Sequence, residues 1–204
     1  MRRQNTTLVR IAAAILRPVF RFGMRLRVEG VERVPDQGPV LLVSNHRSVL
    51  DPPLIAVAQL PGRLHFMAKK ELFRGPFGWL ISRGGAFPVD RGGADRDAIR
   101  TAREVLAAGE RLLMFPEGTR SRTDALGAAW PGAGSLGLAE GVTVIPVGVT
   151  GSDTWRRTGV VVRFGPPIDL SGLEGSKGAR SQAAADAMMD GIRALVGPEA
   201  GGTA

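Results

Sequence analysis

The alternation of short apolar runs with longer segments of helical spacing is the feature that most constrains how this chain can fold. Seven runs have the length and composition of β-strands: 25–29, 40–44, 64–68, 86–89, 111–115, 142–149 and 160–164. Five segments have the spacing of helices: 51–60, 76–82, 94–108, 135–139 and 180–196. This alternation predicts an α/β fold, with layered helices around a mixed, partly parallel central sheet.

The strand predicted at 142–149 contains a proline. Pro146 has no amide hydrogen to donate to a neighbouring strand. We therefore expect this strand to lie at an edge of the sheet or to contain a bulge.

Length and composition indicate one globular domain without cysteine chemistry. The 204 residues suffice to bury a substantial core, and 44% apolar with 23% charged residues is an ordinary balance. The absence of cysteine excludes disulfides, thiolate catalysis and cysteine-ligated metals. We expect the main domain over residues 24–197 and a flexible tail over residues 198–204.

The excess positive charge belongs to the N-terminus. Residues 1–27 contain seven arginines and no acidic residue, which leaves 20 basic and 19 acidic residues for the rest of the chain. A nucleic-acid binder would also need aromatic stacking residues, but the chain has no tyrosine and only 5% aromatic residues. We therefore expect no nucleic-acid partner.

Residues 1–23 have the pattern of an amphipathic helix on a membrane surface. The predicted apolar face comprises Leu8, Ile11, Ala12, Ile15, Leu16, Val19 and Phe20, and the opposite face carries Arg10, Arg17 and Arg21. Pro18 should kink this helix or end its first part. The apolar runs are shorter than the ~20 residues of a spanning helix, so we expect a peripheral contact with anionic lipid. An ordinary surface helix, a transit peptide and a secretory signal are the alternatives.

A histidine and an aspartate follow the buried strand predicted at 40–44. The sequence NHRSVLD, residues 45–51, places His46 beyond the carboxyl end of a strand, where sites form in parallel α/β sheets. Asp51 precedes two prolines and resembles a helix N-cap. If the loop folds back, Asp51 would hold one nitrogen of His46 while the other nitrogen removes a proton from a hydroxyl group. Otherwise Asp51 is only a cap and His46 only a loop residue.

A histidine–aspartate pair of this kind could serve a serine nucleophile, a metal ion or a hydroxyl group of the substrate. A serine nucleophile lacks the Gly-x-Ser-x-Gly elbow, and Ser48 and Ser121 have no distinctive context. A metal site lacks a second histidine at ligand spacing, because His65 falls inside a predicted strand. A base that activates a hydroxyl group of the substrate is the remaining possibility.

Two further stretches place arginines after short strands. In MFPEGTRS, residues 114–121, Gly118 permits a tight turn close to a ligand, and Arg120 offers a planar fork for phosphate. Glu117 would orient Arg120 or accept a hydrogen bond from a substrate hydroxyl. GGAFPVDR, residues 84–91, ends in Arg91. The two arginines are a candidate phosphate clamp, or alternatively halves of surface ion pairs.

Together these stretches resemble the motifs of the glycerolipid acyltransferase family, in particular the lysophosphatidate acyltransferases. NHRSVLD matches the Asn-His-x-x-x-x-Asp block, and GGAFPVDR, FPEGTRS and VIPVGVTG match the second, third and fourth blocks in order and spacing. The resemblance covers residues 24–165. One departure is Trp130-Pro131-Gly132, where relatives often carry a basic residue before the glycine.

The resemblance implies transfer of a fatty acyl group from acyl-CoA or acyl carrier protein to a lysophospholipid, above all 1-acyl-glycerol-3-phosphate. It implies His46 as general base with Asp51, and Arg91, Glu117, Gly118 and Arg120 as the glycerol-phosphate site. It implies no metal, no cofactor and no covalent acyl-enzyme. The expected location is the cytoplasmic face of a membrane. The alternatives are another lysolipid or glycolipid acceptor, or a non-catalytic lipid-binding relative.

The segment GAGSLG, residues 132–137, satisfies the spacing of a dinucleotide-binding fingerprint. That fingerprint requires a strand directly before it, whereas Trp130 and Pro131 precede it here. We interpret the glycines as a loop with close helix packing.

Overall fold

A seven-stranded sheet forms the centre of the molecule. The computed structural model describes residues 6–90, 95–121 and 126–197. The strands are β1 (Arg27–Glu29), β2 (Val40–Ser44), β3 (Leu64–Lys69), β4 (Ala86–Val89), β5 (Arg111–Met114), β6 (Thr143–Thr150) and β7 (Val161–Phe164), in the order β1-β7-β6-β2-β5-β3-β4. All neighbours pair in parallel except β6 and β7. The predicted α/β fold with a mixed, partly parallel sheet is confirmed.

Seven α-helices accompany the sheet in the described part of the chain. They are α1 (Thr6–Pro18), α2 (Asp51–Ala58), α3 (Gly75–Arg83), α4 (Arg96–Ala107), α5 (Pro131–Gly137), α6 (Trp155–Thr158) and α7 (Lys177–Val196). The predicted helices are all present within a few residues, and the four-residue α6 was not predicted. Arg91, Ala94 and the tail 198–204 lie outside the described residues.

Strand β2 is the fourth of the seven strands in the sheet, and both of its faces are covered. Val40 and Leu42 belong to one core cluster, together with side chains of α2 and the end of the N-terminal helical segment. Leu41 and Val43 belong to a second cluster, formed with α4, α5 and α7. A strand buried on both faces needs a continuous apolar run, which is the pattern found at 40–43.

The expectation that Pro146 marks an edge or a bulge is wrong. Strand β6 lies between β7 and β2, and its register with β2 runs unbroken through Pro146. The ladder between β6 and β7 begins only at Val147, and the Pro146 carbonyl accepts a hydrogen bond of 2.8 Å from the Gly165 amide. The missing amide of Pro146 therefore faces the side on which β7 has already ended.

The N-terminal segment divides its apolar residues between core and surface. Helix α1 ends at Pro18, as predicted, and a π-helix continues over Val19–Gly23. Phe20 is buried in the first core cluster, with Leu16 packed against it. An N-terminal stripe remains exposed, consisting of Ile11, Ile15, Val19 and Phe22. The side chains of Leu8 and Arg10 lie outside the description.

No helix in the described ranges is both long and apolar enough to cross a membrane. The proposed division of the chain between residues 23 and 24 stays a prediction. Met24, the first residue after the π-helix, is buried in the first core cluster.

The GAGSLG glycines lie in α5 and not in a loop, but the predicted close packing is confirmed. A Cβ atom on Gly134 would overlap the carbonyl oxygen of Ser181 in α7, and one on Gly137 would overlap the Met188 side chain. A larger residue at either position would clash with α7, because α5 and α7 lie in close contact.

We expect Gly134→Ala to destabilise the protein by about 1–3 kcal/mol, because the added methyl group meets the backbone of α7. Gly132→Ala is the matched control in the same helix, since its Cβ would lie 3.5 Å from Ile99. The control should stay within about 1 kcal/mol of the wild type. Urea unfolding of both variants is the measurement, and equal free energies of unfolding would contradict the packing described here.

Candidate active site

The candidate site lies where β2 and β5 end at the same edge of the sheet. The two strands are parallel neighbours, with Val43 opposite Met114. His46 follows the end of β2 by two residues, and Glu117 follows the end of β5 by three. The parallel register therefore brings the first and third sequence motifs together.

His46 and Asp51 form a buried pair. Nδ1 of His46 lies 2.9 Å from Oδ2 of Asp51, and both side chains are buried. The same oxygen accepts hydrogen bonds from the backbone amides of Arg47 (2.8 Å) and Ser48 (2.7 Å). Because the carboxylate oxygen is the acceptor, Nδ1 carries the hydrogen and Nε2 of the neutral ring carries the free lone pair.

Asp51 is not the N-cap that the sequence suggested. Helix α2 begins at Asp51 itself, and the preceding Leu50 makes no side-chain cap. Pro52 and Pro53 carry no amide hydrogen, so the start of α2 offers few donors to a capping carboxylate. The carboxylate instead turns back over the loop to His46, as the catalytic interpretation requires. Its second oxygen, Oδ1, is buried and has no hydrogen-bond partner among the described residues.

Residues that follow β5 hold the ring and the backbone of His46. Its ring stacks on Phe115 with a centroid distance of 4.0 Å and an interplanar angle of 20°. Its backbone amide donates to Oε1 of Glu117 (3.2 Å), and its carbonyl accepts from the Ser121 amide (2.8 Å). Nε2 makes no hydrogen bond to any residue that the structure describes. The ring is thus fixed in position with one nitrogen available.

Glu117 connects two loops. Its Oε1 binds the His46 amide, and its Oε2 accepts from the Gly127 amide at 2.9 Å. The side chain is buried. Among the described residues it makes no hydrogen bond or ion pair with Arg120, which is exposed and forms no ion pair there. In this structure Glu117 positions the backbone around His46, a role that the sequence did not indicate.

Gly118 forms the tight turn that the sequence predicted. Its φ is +70°, in the left-handed region, and its amide donates to the Phe115 carbonyl at 3.0 Å. A Cβ atom here would lie 3.3 Å from Nε1 of Trp130. The indole of Trp130 thus lies against the turn that leads to Arg120. Arg91, the other predicted phosphate ligand, lies outside the described residues.

Asn45 is a structural anchor of the site that sequence reasoning missed. Its Nδ2 donates to the Val149 carbonyl and its Oδ1 accepts from the Val149 amide, both at 2.8 Å. The buried side chain therefore imitates a peptide group and extends the pairing of β2 with β6 beyond Ser44. This anchor lies one residue before His46. The available signal was an amide residue directly after a strand buried on both faces.

A second missed contact joins the His46 loop to the segment after β6. Nε and Nη2 of Arg47 lie 3.0 and 2.8 Å from Oδ2 of Asp153. Both side chains are partly exposed. The contact ties the loop to a third part of the chain, besides its anchors on β5 and β6.

Comparison with known proteins decides the family. The model of the Acyltransferase family matches residues 25–150. The chain belongs to the Acyltransferase family. The matched region contains the first three sequence blocks in full, and the fourth without its last residue, Gly151.

Relatives and a solved structure agree with this assignment. The chain is 39% identical over 150 residues to the 1-acyl-sn-glycerol-3-phosphate acyltransferase of Streptococcus pneumoniae, covering 70% of this chain and 55% of the relative. It is 32% identical to the chloroplastic LPAT1 of Arabidopsis thaliana, covering 66% of this chain and 38% of the relative. The matches thus span about half or less of these relatives. The crystal structure of the 1-acyl-sn-glycerophosphate (LPA) acyltransferase PlsC from Thermotoga maritima superposes with a TM-score of 0.63 at 25% identity, covering 90% of this chain and 81% of that one.

We expect Glu117→Gln to lower the free energy of unfolding by about 1–3 kcal/mol, because the new amide group turns a donor towards one of the two backbone amides. Amide exchange at His46 should become faster. Glu104→Gln on the exposed side of α4 is the control, and it should change stability by less than about 0.5 kcal/mol. If Glu117→Gln behaves like this control, Glu117 does not hold the two loops together.

Proposed function

We propose that this protein is an O-acyltransferase that moves a fatty acyl group from a thioester to the free hydroxyl of 1-acyl-glycerol-3-phosphate, giving phosphatidate. The observation that carries the proposal is the buried contact between His46 Nδ1 and Asp51 Oδ2, with Nε2 unbonded among the described residues. The printed names of the pneumococcal and Arabidopsis relatives and of the Thermotoga structure support the acceptor.

In the proposed mechanism His46 acts as a general base. Nε2 takes the proton of the lysolipid hydroxyl as its oxygen attacks the thioester carbonyl, and Asp51 stabilises the imidazolium that forms. The tetrahedral intermediate then expels the thiolate of acyl-CoA or acyl carrier protein. The thiolate takes the proton back from Nε2, so the neutral histidine is restored. The scheme needs no covalent acyl-enzyme, metal or cofactor.

The phosphate of the acceptor is assigned to the turn after β5. Arg120 is exposed there and forms no ion pair within the described residues, and a guanidinium can bind phosphate with two parallel hydrogen bonds. The left-handed Gly118 gives the backbone of this turn its close bend. We assign Arg91 to the same phosphate on the basis of its sequence motif alone. Glu117 would serve this site indirectly, by holding the His46 loop beside the turn.

The proposed acceptor is a lipid, so we place the protein on the cytoplasmic face of a membrane, bound to anionic lipid. The exposed N-terminal stripe supplies an apolar surface for this contact. Beside it is a cavity of about 670 Å³, lined by Arg17, Arg21, Arg25 and Arg27 together with apolar side chains. Apolar residues next to several arginines favour an anionic bilayer surface.

His46→Ala should lower kcat for acyl transfer at least about a hundredfold, since the general base is lost. Asp51→Asn should also lower kcat, because the imidazolium loses its charge partner. Acylation of 1-acyl-glycerol-3-phosphate by acyl-CoA and by acyl carrier protein is the assay, with urea unfolding to verify that the variants are folded. A folded His46→Ala variant with most of the wild-type turnover would falsify the mechanism.

Arg120→Ala should raise KM for the phosphorylated acceptor more than KM for the thioester donor, because a charge-assisted contact to phosphate is lost. Arg103→Ala, an exposed arginine of α4, is the matched control and should leave both constants unchanged. Steady-state kinetics with each substrate varied in turn separates the two constants. An equal rise in both KM values would argue against a phosphate contact at Arg120.

A further inference from the structure

A second exposed apolar surface lies on the segment between β3 and β4, far from the N-terminal stripe in sequence. We call it the α3 patch. It consists of Leu72, Phe77, Trp79 and Leu80, whose side chains are 45%, 56%, 54% and 45% exposed. Exposed apolar residues are ordinary when they are scattered, but a cluster that contains two aromatic rings marks an interaction surface.

The direction in which α3 faces explains this exposure. Gly78 is the buried residue of α3, and a Cβ atom there would overlap the backbone of Phe73. At 3.6 residues per turn, Phe77, Trp79 and Leu80 lie within an arc of about 160° on the opposite side. No residue of α3 belongs to either core cluster among the described residues. The helix therefore packs closely on its own preceding turn through a glycine, and it turns Phe77, Trp79 and Leu80 outwards.

Basic residues accompany the α3 patch in the same segment of the chain. This basic rim consists of Lys69, Lys70, Arg74 and Arg83. Nζ of Lys69 lies 3.1 Å from Oε1 of Glu71, the single acidic residue of the same segment, so three basic residues remain in excess. The guanidinium of Arg83 lies 5.2 Å from the centre of the Trp79 ring. Tryptophan within an apolar patch that has basic neighbours is typical of a surface that enters the headgroup region of an anionic bilayer. A symmetric contact with a second copy would instead bring two basic rims together.

The α3 patch also lies beside the candidate site. Strands β2, β5 and β3 are parallel and adjacent, so His46, Glu117 and the start of the patch segment all follow strand ends at one edge of the sheet. The chain moves in one direction across the sheet from β2 to β3 to β4. Right-handed crossovers then place α2 and α3 on the same face. Helix α1 packs against α2 and so shares that face.

We propose that the α3 patch is a second bilayer-contacting surface, which inserts Phe77, Trp79 and Leu80 into an anionic membrane. The proposal adds to the proposed function, since it gives the membrane-bound protein two contacts. The candidate site, at the ends of β2 and β5, then lies between the N-terminal stripe and the α3 patch. Two contacts would hold the catalytic edge at the bilayer surface, where one helix alone would leave it free to rotate.

The first experiment measures binding to vesicles of phosphatidylcholine with phosphatidylglycerol by sedimentation. The full chain carrying Phe77→Ser, Trp79→Ser and Leu80→Ser should bind at least about tenfold more weakly than the wild type, because three apolar side chains are lost. The matched control carries Arg100→Ser, Arg103→Ser and Glu104→Ser on the exposed side of α4, and it should bind like the wild type. Equal binding of the triple patch variant and the wild type would overturn the proposal.

The second experiment reports on Trp79 itself. Vesicles with brominated acyl chains should quench part of the tryptophan emission of the wild type, and this part should be missing in Trp79→Phe. If both proteins are quenched equally, Trp79 does not enter the bilayer. If Trp79 emission shifts to shorter wavelength with protein concentration in the absence of lipid, the patch joins copies of this chain, and the proposal is also wrong.

Two further measurements distinguish failure of this proposal from failure of the proposed function. The patch variant should keep its acyl transfer to a short-chain, water-soluble lysophosphatidate, while transfer to lysolipid in vesicles falls. Ile15→Ser with Phe22→Ser tests the N-terminal stripe alone. Absence of acyl transfer in the wild type would overturn the proposed function but not the quenching result. The α3 contact alone would be overturned by two results together. The stripe variant would lose vesicle binding, and Trp79 of the wild type would show no quenching.

Discussion

The geometry of the site depends on the carboxylate of Asp51. A buried carboxylate is stable only where donors replace the water it has lost. Asp51 receives three donors at one oxygen, namely two backbone amides of the preceding loop and the imidazole of His46. The loop must therefore fold back over the first turn of α2. The conformation of the loop and the orientation of the histidine are set by the same set of hydrogen bonds.

The loop is in turn held by both strands that flank β2. On one side, Phe115 and Glu117 fix the ring and the backbone of His46 from the end of β5. On the other side, the Asn45 amide is bonded to Val149 of β6. A reactive group supported in this way keeps its geometry without help from a ligand. The residues that achieve this support bind backbone groups more often than side chains.

The sequence predicted the strands and the His46–Asp51 pair because these follow from local patterns. The apolar run at 40–43 and the five-residue spacing of the pair can be read from neighbouring residues. The role of Glu117 could not be read from neighbouring residues, because it binds the amides of His46 and Gly127, which are 71 and 10 residues away. The central position of Pro146 was missed for a similar reason. A proline is tolerated there because β7 ends opposite it, and that is a property of the partner strand.

The N-terminal helix shows another limit of periodicity. The apolar residues of this segment cover a broad arc, within which Val19 is exposed while the next residue, Phe20, is buried in the core. Helical spacing identified an amphipathic segment correctly. It could not tell which apolar side chains the domain itself would cover.

The antiparallel pairing of β7 with β6 has a consequence for where the chain enters the sheet. Val161 of β7 lies opposite Thr150, at the end where β6 and β2 both finish. Strand β1 runs parallel to β7, so Arg27 pairs with Val161 at this same end. The N-terminal helical segment thus joins the sheet at the same edge at which His46 lies. Had β7 kept the direction of its neighbours and β1 followed it, the same segment would join the sheet at the far side, a full strand length from His46.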